Sequence, residues 1–395
     1  MPVQNFTPPR RLLLGPGPSM VHPRVLHALS TPLLGHLDPA FLALMNDIQA
    51  LLRVVFQTKN PFTIAVSGTG SAGMEASIVN IVEPGDAVVV GVNGVFGARL
   101  AAIVERCGGK AIRVEAPWGQ IIEPEALQSV LRRSGPVKAV AIVHAETSTG
   151  VWQPLEAIAQ LCRDHDTLFI VDAVTSLGGA PVEIDRLGID VCYSATQKCL
   201  SCPPGLSPFT LSDRAVAAIK ARRSPCQSWY LDMALIADYW ADGARAYHHT
   251  APISMLYALR EALRLVEEEG LPARFARHQL NSEALTAGLT ELGLFPLPPI
   301  EYRLPMLACV TVPDPIPEAE VRANLLSTYG IEIGGGLGPL KGKVWRIGLM
   351  GESSTEAHVL TLLNALEKIF IRGGGLSTPG VALQAAARVY SRRAL

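Results

Sequence analysis

Short runs of consecutive apolar residues alternate, over the first two-thirds of the chain, with longer segments in which apolar residues recur at helical spacing. The uninterrupted apolar runs are 62–67, 87–92, 138–144 and 168–172. The segments with helical spacing are 71–82, 94–106 and 155–165. Uninterrupted runs are typical of strands that are covered on both faces of a sheet. Their alternation with helices predicts an α/β domain built on a mostly parallel sheet.

The pattern changes beyond residue 270, after a helix-like segment at 253–269 that ends at Gly270-Leu-Pro272. Short strands are predicted at 307–312, 331–333 and 343–347, and helices at 318–329 and 355–370. Few strands with two flanking helices indicate a smaller α+β domain. We therefore expect an N-terminal arm at 1–20, a large domain at 21–270 and a small C-terminal domain at 271–395. The small domain ends in glycines 373–375 and a short helix-prone tail.

Charge and hydropathy exclude several classes of protein. The formal net charge is −1 over 395 residues, which does not favour nucleic acid or a membrane surface as a partner. Hydrophobic residues make up 49% of the chain, but no run reaches the 18 or so apolar residues of a membrane span. The first residues lack the order of a signal peptide, and Arg393-Ala-Leu395 does not match the Ser-Lys-Leu peroxisomal signal.

The seven cysteines are scattered, and several lie inside apolar runs. An odd number in such positions indicates free, buried thiols in a reducing compartment, so we expect a cytoplasmic protein. Cys199 and Cys202 form a C-x-x-C pair that is typical of redox or metal sites. No second pair and no nearby histidine completes a zinc set, so no metal site is predicted.

Two charged residues close neighbouring segments of the predicted sheet. The apolar strand 168–172 ends in Asp172, and the run that begins at Asp190 ends in Lys198. The carboxyl ends of parallel strands meet at one edge, where open α/β sheets bind ligands. Pyridoxal phosphate (PLP) chemistry needs this pair, because a lysine amine forms the Schiff base and an aspartate keeps the pyridine nitrogen protonated. A surface lysine and an aspartate that caps a helix are the structural alternative.

A glycine-rich turn, residues 67–73, lies between a predicted strand and a predicted helix. Glycines allow a tight turn, and the free amides at a helix start present partial positive charge to a phosphate. The glycine spacing differs from that of the Walker loop and of the dinucleotide fingerprint. A single phosphate monoester fits the turn better than ATP or NAD.

Three further segments carry candidate ligands. The run 144–150 places hydroxyl groups directly after a buried strand, where they could orient a ring oxygen or cap a helix. Arg346 interrupts a short apolar strand, where it could bind a substrate carboxylate bidentately or form a structural salt bridge. The run Tyr247-His-His-Thr250 is not expected to bind a metal, because adjacent histidines point to different sides of the backbone. Its tyrosine and threonine could instead contact a phosphate.

Taken together, these segments closely resemble the class V aminotransferases of fold type I, and specifically the alanine–glyoxylate (serine–pyruvate) aminotransferase family. The resemblance covers nearly the whole chain. The matching segments are Leu12–Ser19, Val55–Thr58, Ser67–Gly70, Glu83–Asp86, Glu146–Gly150, Val171–Val174, Gln197–Lys198, Tyr247–Thr250, Gly335–Pro339 and Arg346–Gly348. The family implies a large domain with a mostly parallel seven-stranded sheet, a smaller C-terminal α+β domain and a homodimer with shared active sites.

The resemblance also implies a role for individual residues. Lys198 would form the Schiff base and move the proton between substrate and cofactor, Asp172 would pair with the pyridine nitrogen, and Arg346 would hold the substrate carboxylate. The remaining cofactor contacts implied by the family are Thr69, Gly70, Ser71 and Gln197 at the phosphate, Thr147 near the ring hydroxyl, Phe96 stacked on the ring, and Tyr247 and Thr250 from the neighbouring subunit.

Four positions bear on specificity and on departures from the family. Phe96 stands where the family often has tryptophan, so that the stacked area is smaller, and Ser71 stands where animal members often have histidine. Gly35 and His36 match a loop that approaches the partner's active site. Gly35 would leave room for a small substrate, and His36 would offer a hydrogen bond near the side-chain pocket or only tie the loop to its neighbour.

The implied reaction is a ping-pong transamination in which alanine or serine donates the amino group and glyoxylate becomes glycine. Serine–glyoxylate and serine–pyruvate transamination are the nearest alternatives. A cysteine desulfurase would need a mobile catalytic cysteine, and its lysine commonly follows histidine where this chain has Gln197. A non-catalytic interaction protein on the same fold would be expected to lose Lys198, Asp172 or Arg346, and all three are present.

Overall fold

The computed structural model of the protein describes residues 5–241, 245–373 and 378–392. The strands are β1 (Leu12–Leu13), β2 (Phe62–Ser67), β3 (Ala87–Val92), β4 (Lys110–Glu115), β5 (Ala139–Val143), β6 (Ala145–Glu146), β7 (Val151–Trp152), β8 (Leu168–Asp172), β9 (Val191–Tyr193), β10 (Leu206–Leu211), β11 (Phe295–Pro296), β12 (Leu307–Thr311), β13 (Ile331–Glu332), β14 (Gly334–Gly335) and β15 (Val344–Gly348). The helices are α1 (Pro23–Leu29), α2 (Pro39–Phe56), α3 (Gly70–Val79), α4 (Val95–Arg106), α5 (Pro124–Arg133), α6 (Glu156–Asp164), α7 (Ile184–Leu187), α8 (Asp213–Lys220), α9 (Met233–Trp240), α10 (Ile253–Glu269), α11 (Leu271–Glu291), α12 (Glu318–Tyr329), α13 (Glu356–Arg372) and α14 (Val381–Ser391).

A seven-stranded sheet forms the centre of the larger part of the molecule, in the order β2-β10-β9-β8-β5-β3-β4. Strand β10 runs antiparallel to both of its neighbours, and the other adjacent strands are parallel. Every residue of β5 and β8 is buried, as the uninterrupted apolar runs predict. The expected α/β fold with a mostly parallel seven-stranded sheet is therefore confirmed.

The register of the central strands aligns their carboxyl ends. Val143 of β5 lies opposite Asp172 of β8, and Asp172 lies opposite Tyr193 of β9. The turns that follow these three strands therefore begin at one edge of the sheet. This edge is where the polar residues singled out in the sequence come together.

Helix α3 is shorter than the sequence pattern predicts. Apolar residues continue at helical spacing to residue 82, but the helix ends at Val79. The side chain of Asn80 donates to the carbonyls of Ala76 and Leu231 at 2.8 and 2.7 Å, and accepts from the Met233 amide at 2.8 Å. The bonds to Leu231 and Met233 come from a distant part of the chain and fix Asn80 at the helix end, and a pattern of apolar spacing does not contain them.

Helix α2 has the length and apolar composition of a membrane span, the one such helix among the described residues. Its buried residues include Phe41, Met45, Ile48 and Leu52, which recur on one face. This face packs against α10 and β2 in the core of the large sheet. The helix therefore packs as a core helix does.

A second sheet, β11-β12-β15-β14, is antiparallel and lies beside the C-terminal helices. Trp345 and Phe370 belong to its separate hydrophobic core. The N-terminal arm joins this part of the molecule, since β1 pairs in parallel with β13 and Leu14 is buried in the second core. The expected domain bounds at 20 and 270 remain predictions, and residues 1–4 and 393–395 lie outside the described residues.

Candidate active site

The side chain of Lys198 lies beneath the N-terminal arm. Its Nζ atom donates to the carbonyl of Pro16. A Cβ atom on Gly17, where φ is +109°, would lie 2.7 Å from Nζ, so only glycine fits there. Ser19 fixes the same loop, because its hydroxyl donates to the Lys198 carbonyl at 2.8 Å and its amide to the Gln197 carbonyl at 2.9 Å. The arm thus closes one side of the site, a role that sequence reasoning missed although the Gly-Pro-Gly-Pro run marks an unusual backbone.

The Lys198 amine is easier to deprotonate than an exposed lysine. Burial lowers its pKa to about 8, the positive charge of Arg346 acts in the same direction, and Asp172 opposes both to a smaller extent. A lowered lysine pKa provides more of the neutral amine, which is the nucleophilic form. The lysine of this chain is therefore prepared for covalent chemistry with a carbonyl group.

Asp172 ends β8 and is 2% exposed. Its two carboxylate oxygens each accept one hydrogen bond, from the amide of Val174 and from the hydroxyl of Tyr193, both at 2.8 Å. Burial raises the pKa of Asp172 to about 6, and the two hydrogen bonds limit the rise. No helix begins at Asp172, since the chain continues into a turn. The carboxylate is therefore a buried acceptor at the sheet edge and not a helix cap.

The glycine-rich turn leads into the start of α3. Thr69 is the N-cap residue of this helix but its side chain makes no capping bond, and Ser71 in the first turn is exposed. A Cβ atom on Gly70 would lie 2.8 Å from the Cβ of Ala195, so this glycine lets the helix start approach the segment between β9 and Lys198. The amides at this start present partial positive charge at the site edge.

Gln197, immediately before Lys198, has a buried side-chain oxygen without a hydrogen-bond partner among the described residues. An unpaired buried polar atom costs free energy. Rotation of the amide group by half a turn presents a donor in place of the acceptor. Gln197 therefore has hydrogen-bonding capacity available for a bound polar group, such as a phosphate.

The polar run after β5 serves two purposes. The hydroxyl of Thr147 lies 2.6 Å from that of Thr175, deep in the site. Glu146 and Ser148 instead cap α4, because Glu146 accepts from the amide of Phe96 at 3.1 Å and Ser148 accepts from the amide of Val95 at 3.0 Å. The capping interpretation therefore applies to Glu146 and Ser148, and the ligand-orienting role of Thr147 stays a prediction. Glu146 was not among the expected site residues, although a carboxylate in so apolar a neighbourhood was a signal.

Phe96 lies in the first turn of α4 and is half-buried. The guanidinium of Arg99 lies 5.1 Å from the centre of the Phe96 ring. Arg99 also donates to the hydroxyl of Ser71 at 3.4 Å, which joins the aromatic ring to the glycine-rich turn. Capping by Glu146 and contact with Arg99 together fix the position of the ring that is expected to stack on the cofactor.

Arg346 lies on β15 and is 8% exposed. Its partners are the backbone carbonyls of Gly335 at 2.8 Å and Thr147 at 3.4 Å. Among the described residues no carboxylate forms a salt bridge with it, which removes the structural alternative there. Burial lowers the pKa of Arg346. A buried guanidinium with free donors is a site for an anion, and a carboxylate matches its geometry.

The remaining predicted residues lie in two loops, at 35–36 and 247–250. Tyr247 and Thr250 are exposed, and their hydroxyls lie 3.4 Å apart. The ring of His36 lies 5.1 Å from that of Tyr247, and a Cβ atom on Gly35 would meet nothing within 4 Å. The structure thus brings the two predicted loops together, and a hydrogen bond of 2.7 Å between His249 and Ser67 joins the second loop to the glycine-rich turn.

The residues at the sheet edge fit pyridoxal phosphate. The cofactor carbonyl requires an amine, which the lysine with a lowered pKa provides, and the ring nitrogen requires the buried carboxylate. The phosphate requires donors, which the uncapped helix start and the unpaired buried amide provide. The sequence profile of the Aminotransferase class-V family matches residues 13–342. The chain is a class V aminotransferase.

Relatives of this aminotransferase cover almost its full length. The crystal structure of alanine–glyoxylate aminotransferase from Nostoc sp. is 51% identical, covers 94% of this chain and 98% of its own, and superposes with a TM-score of 0.92. That of ureidoglycine–glyoxylate aminotransferase from Bacillus subtilis is 43% identical, covers 98% and 100% of the two chains, and gives a TM-score of 0.95. Alanine–glyoxylate aminotransferase of Rattus norvegicus is 40% identical over 91% of this chain and 87% of its own.

The family depends on PLP, so the aminotransferase acts on an amino acid and a 2-oxo acid with this cofactor. Its similarity to relatives named for glyoxylate also supports a glyoxylate aminotransferase activity. The predicted fold, family, cofactor and enzyme class are thereby confirmed. The roles of the individual site residues remain predictions, supported by the geometry described above.

Proposed function

We propose that the enzyme transfers the amino group of alanine to glyoxylate, so that alanine becomes pyruvate and glyoxylate becomes glycine, with serine as a second donor. The observation that carries the proposal is the buried guanidinium of Arg346, which donates to the carbonyls of Gly335 and Thr147 and has no carboxylate partner among the described residues. Alanine, serine and glyoxylate all have the carboxylate that this guanidinium requires. The relatives from Nostoc sp. and Rattus norvegicus, named for alanine and glyoxylate, support the choice of substrates.

The bound cofactor supplies an electron-accepting ring that stabilises negative charge at the substrate Cα. Asp172 would hold the proton on the ring nitrogen, and Gln197 with the start of α3 would hold the phosphate. Thr147 would orient the ring hydroxyl, and Phe96 would pack on the ring face. Lys198 would accept the proton from the substrate Cα and donate it to the cofactor, and its lowered pKa suits it for this role.

The arm above Lys198 would also limit the size of the substrate. Pro16 contacts the lysine amine and Gly17 lies against its side chain. A substrate that reaches the amine must therefore fit beneath this backbone. Small donors suit such a space, whereas aspartate would bring a second carboxylate to a site with one buried guanidinium.

We further propose a homodimer in which the surface that contains His36 and Tyr247 completes the partner's site. Leu33 is 67% exposed and Trp229 64%, and the Trp229 ring stacks 4.5 Å from that of His248. Exposed apolar side chains of this size are typical of a surface that another chain covers. Tyr247 and Thr250 would then reach the phosphate in the partner, and Gly35 would border its substrate.

Ureidoglycine is a third candidate donor because of one relative. The Bacillus subtilis enzyme named for ureidoglycine matches this chain over 98% of its length.

A cysteine desulfurase is disfavoured, because the cysteines near the site, Cys199 and Cys309, are buried and burial raises the pKa of each to about 12. Such thiols do not provide a thiolate at neutral pH. All seven cysteines are free, which supports the further proposal of a cytoplasmic enzyme.

A donor screen with purified enzyme tests the proposal. Alanine, serine, ureidoglycine and aspartate are each supplied with glyoxylate, then with pyruvate where chemistry allows, and the amino acid product is quantified. We expect alanine to give the highest kcat/KM with glyoxylate and aspartate to be poor. A clear preference for ureidoglycine or rapid turnover of aspartate would contradict it.

The homodimer is tested separately by light scattering at the concentrations of the assay. The His36→Ala variant should keep the dimer but change the ratio of kcat/KM for serine to that for alanine. Full activity of a monomeric enzyme would overturn the shared site, and an unchanged ratio would leave His36 with a role in the loop alone.

A further inference from the structure

The hydroxyl of Tyr193 makes its hydrogen bond to the carboxylate of Asp172. Tyr193 is fully buried on β9, directly opposite Asp172 in the adjacent parallel strand. Its hydroxyl donates to the Asp172 Oδ2 atom at 2.8 Å. The second carboxylate oxygen, Oδ1, accepts from the Val174 amide. Each oxygen thus has one fixed donor, which sets the plane of the carboxylate relative to the sheet edge.

The charges around Asp172 make this hydrogen bond consequential. Glu146 raises its pKa and Lys198 lowers it, and both act on it more weakly than burial does. On β9 itself, the Cys192 thiol and the Tyr193 phenol have pKa values raised well above their usual range by burial, so both stay neutral. Tyr193 is therefore a neutral donor to a carboxylate that burial would otherwise drive toward its protonated form.

We propose that Tyr193 is a positioning residue that keeps Asp172 ionised and oriented toward the ring nitrogen of the cofactor. Loss of the phenol hydroxyl would increase the proton affinity of the carboxylate. The proton shared between Asp172 and the ring nitrogen would then move toward Asp172, and the ring would accept electrons less well. For its kinetic consequence the inference rests on the proposed transamination, but the effect on the ring nitrogen requires no substrate.

The test compares four forms of the PLP-loaded enzyme: wild type, Tyr193→Phe, Asp172→Asn and the double variant. Phenylalanine keeps the shape of the buried ring and removes only the hydroxyl. The first measurement is the nitrogen NMR shift of enzyme reconstituted with ring-¹⁵N PLP, without substrate, as a function of pH. In Tyr193→Phe the pH at which the ring nitrogen loses its proton should fall by about one unit or more. This is the size expected from loss of one hydrogen bond to a charged group.

The second measurement is the single-turnover rate with the best donor. Tyr193→Phe should lower the rate constant with little change in apparent donor affinity, and its acid limb should move to higher pH. If Tyr193 acts through Asp172, adding Tyr193→Phe to Asp172→Asn should change the rate by less than about twofold. An equal fall in both backgrounds, or an unchanged nitrogen shift, would overturn the proposal and leave Tyr193 as a packing residue.

Tyr390→Phe is the matched control, because the Tyr390 hydroxyl donates to the side chain of Asn281 at 2.8 Å in the second core. It should lower thermal stability to a similar degree and leave the nitrogen shift and the pH profile unchanged. If Tyr193→Phe does not fold, Tyr193→His takes its place in the nitrogen NMR measurement; its ring retains a hydrogen-bond donor, so its titration should lie between that of wild type and the shift expected for loss of the hydroxyl. Wild type that fails to use alanine with glyoxylate would contradict the proposed function but not this inference, since the nitrogen signal would remain.

Discussion

The Arg346→Lys variant separates the charge at the carboxylate site from its geometry. The Arg346 guanidinium uses its Nε–H on the Gly335 carbonyl and one Nη1–H on the Thr147 carbonyl, which leaves donors on Nη1 and Nη2 for a ligand. A lysine ammonium keeps the positive charge but has one nitrogen. It cannot contact the Gly335 carbonyl and also hold both oxygens of a carboxylate.

The expected cost follows from the bonds that are lost. A charge-assisted hydrogen bond to a buried group contributes about 1.5–3 kcal/mol, and the variant loses at least one. A total of about 2–4 kcal/mol in transition-state binding corresponds to a roughly 30- to 700-fold fall in kcat/KM. Because donor and acceptor both carry a carboxylate, the two values of kcat/KM should fall by similar factors.

The assay measures initial rates over a grid of alanine and glyoxylate concentrations, for wild type, Arg346→Lys and Arg322→Lys. Arg322 is the matched control, because it lies beside Gly335 and pairs with Glu318 on its own helix. It should retain near-normal kinetics. Unchanged kcat/KM in Arg346→Lys, or a loss confined to one substrate, would refute the reasoning and move the carboxylate site elsewhere.

Three further predictions follow from the same structure. Lys198→Ala should abolish covalent PLP attachment, so borohydride reduction and peptide mapping should label Lys198 in wild type and no lysine in the variant. Gly17→Ala should greatly weaken PLP loading, since its Cβ would lie 2.7 Å from the lysine amine, whereas Gly85→Ala, at φ +92° with open space around it, should lower stability alone; equal loading of both variants would contradict this. Burial lowers the pKa of His278 to about 3, so the unfolded chain binds the additional proton between about pH 6.5 and 3, and stability is lost as pH falls through that range. Urea midpoints at pH 7 and 5 should differ less in His278→Gln than in wild type, and an equal pH dependence would contradict the assignment.

Local patterns were enough to predict much of the fold. Helices 253–269 and 318–329 have the bounds that apolar spacing indicates, and strand 168–172 ends at its carboxylate as expected. Other elements carry weaker signals. Strand β4 is an edge strand with charged residues. Helix α11 begins at Leu271, immediately after Gly270, where the sequence pattern indicates only the end of α10.

Parts of the site depend on contacts between residues far apart in the chain. Tyr193 lies in a strand whose sequence indicates only a buried core strand. Its register with Asp172 is what places its hydroxyl on the carboxylate. Glu146 caps a helix some fifty residues earlier in the chain. No local spacing encodes either contact, because each depends on which strands become neighbours in the sheet.

The sequence by itself determined the alternation of strands and helices and the charges that end two of the strands. Those features depend on backbone propensity and on the burial of neighbouring side chains, which act over a few residues. The tertiary structure decided that the arm pairs with β13 and places Pro16 and Gly17 on Lys198. It also decided that burial shifts the pKa values of Lys198 and Asp172 toward each other. Desolvation and long-range pairing arise only when distant segments pack together, and they give Lys198 and Asp172 proton affinities that the same residues do not have in an exposed chain.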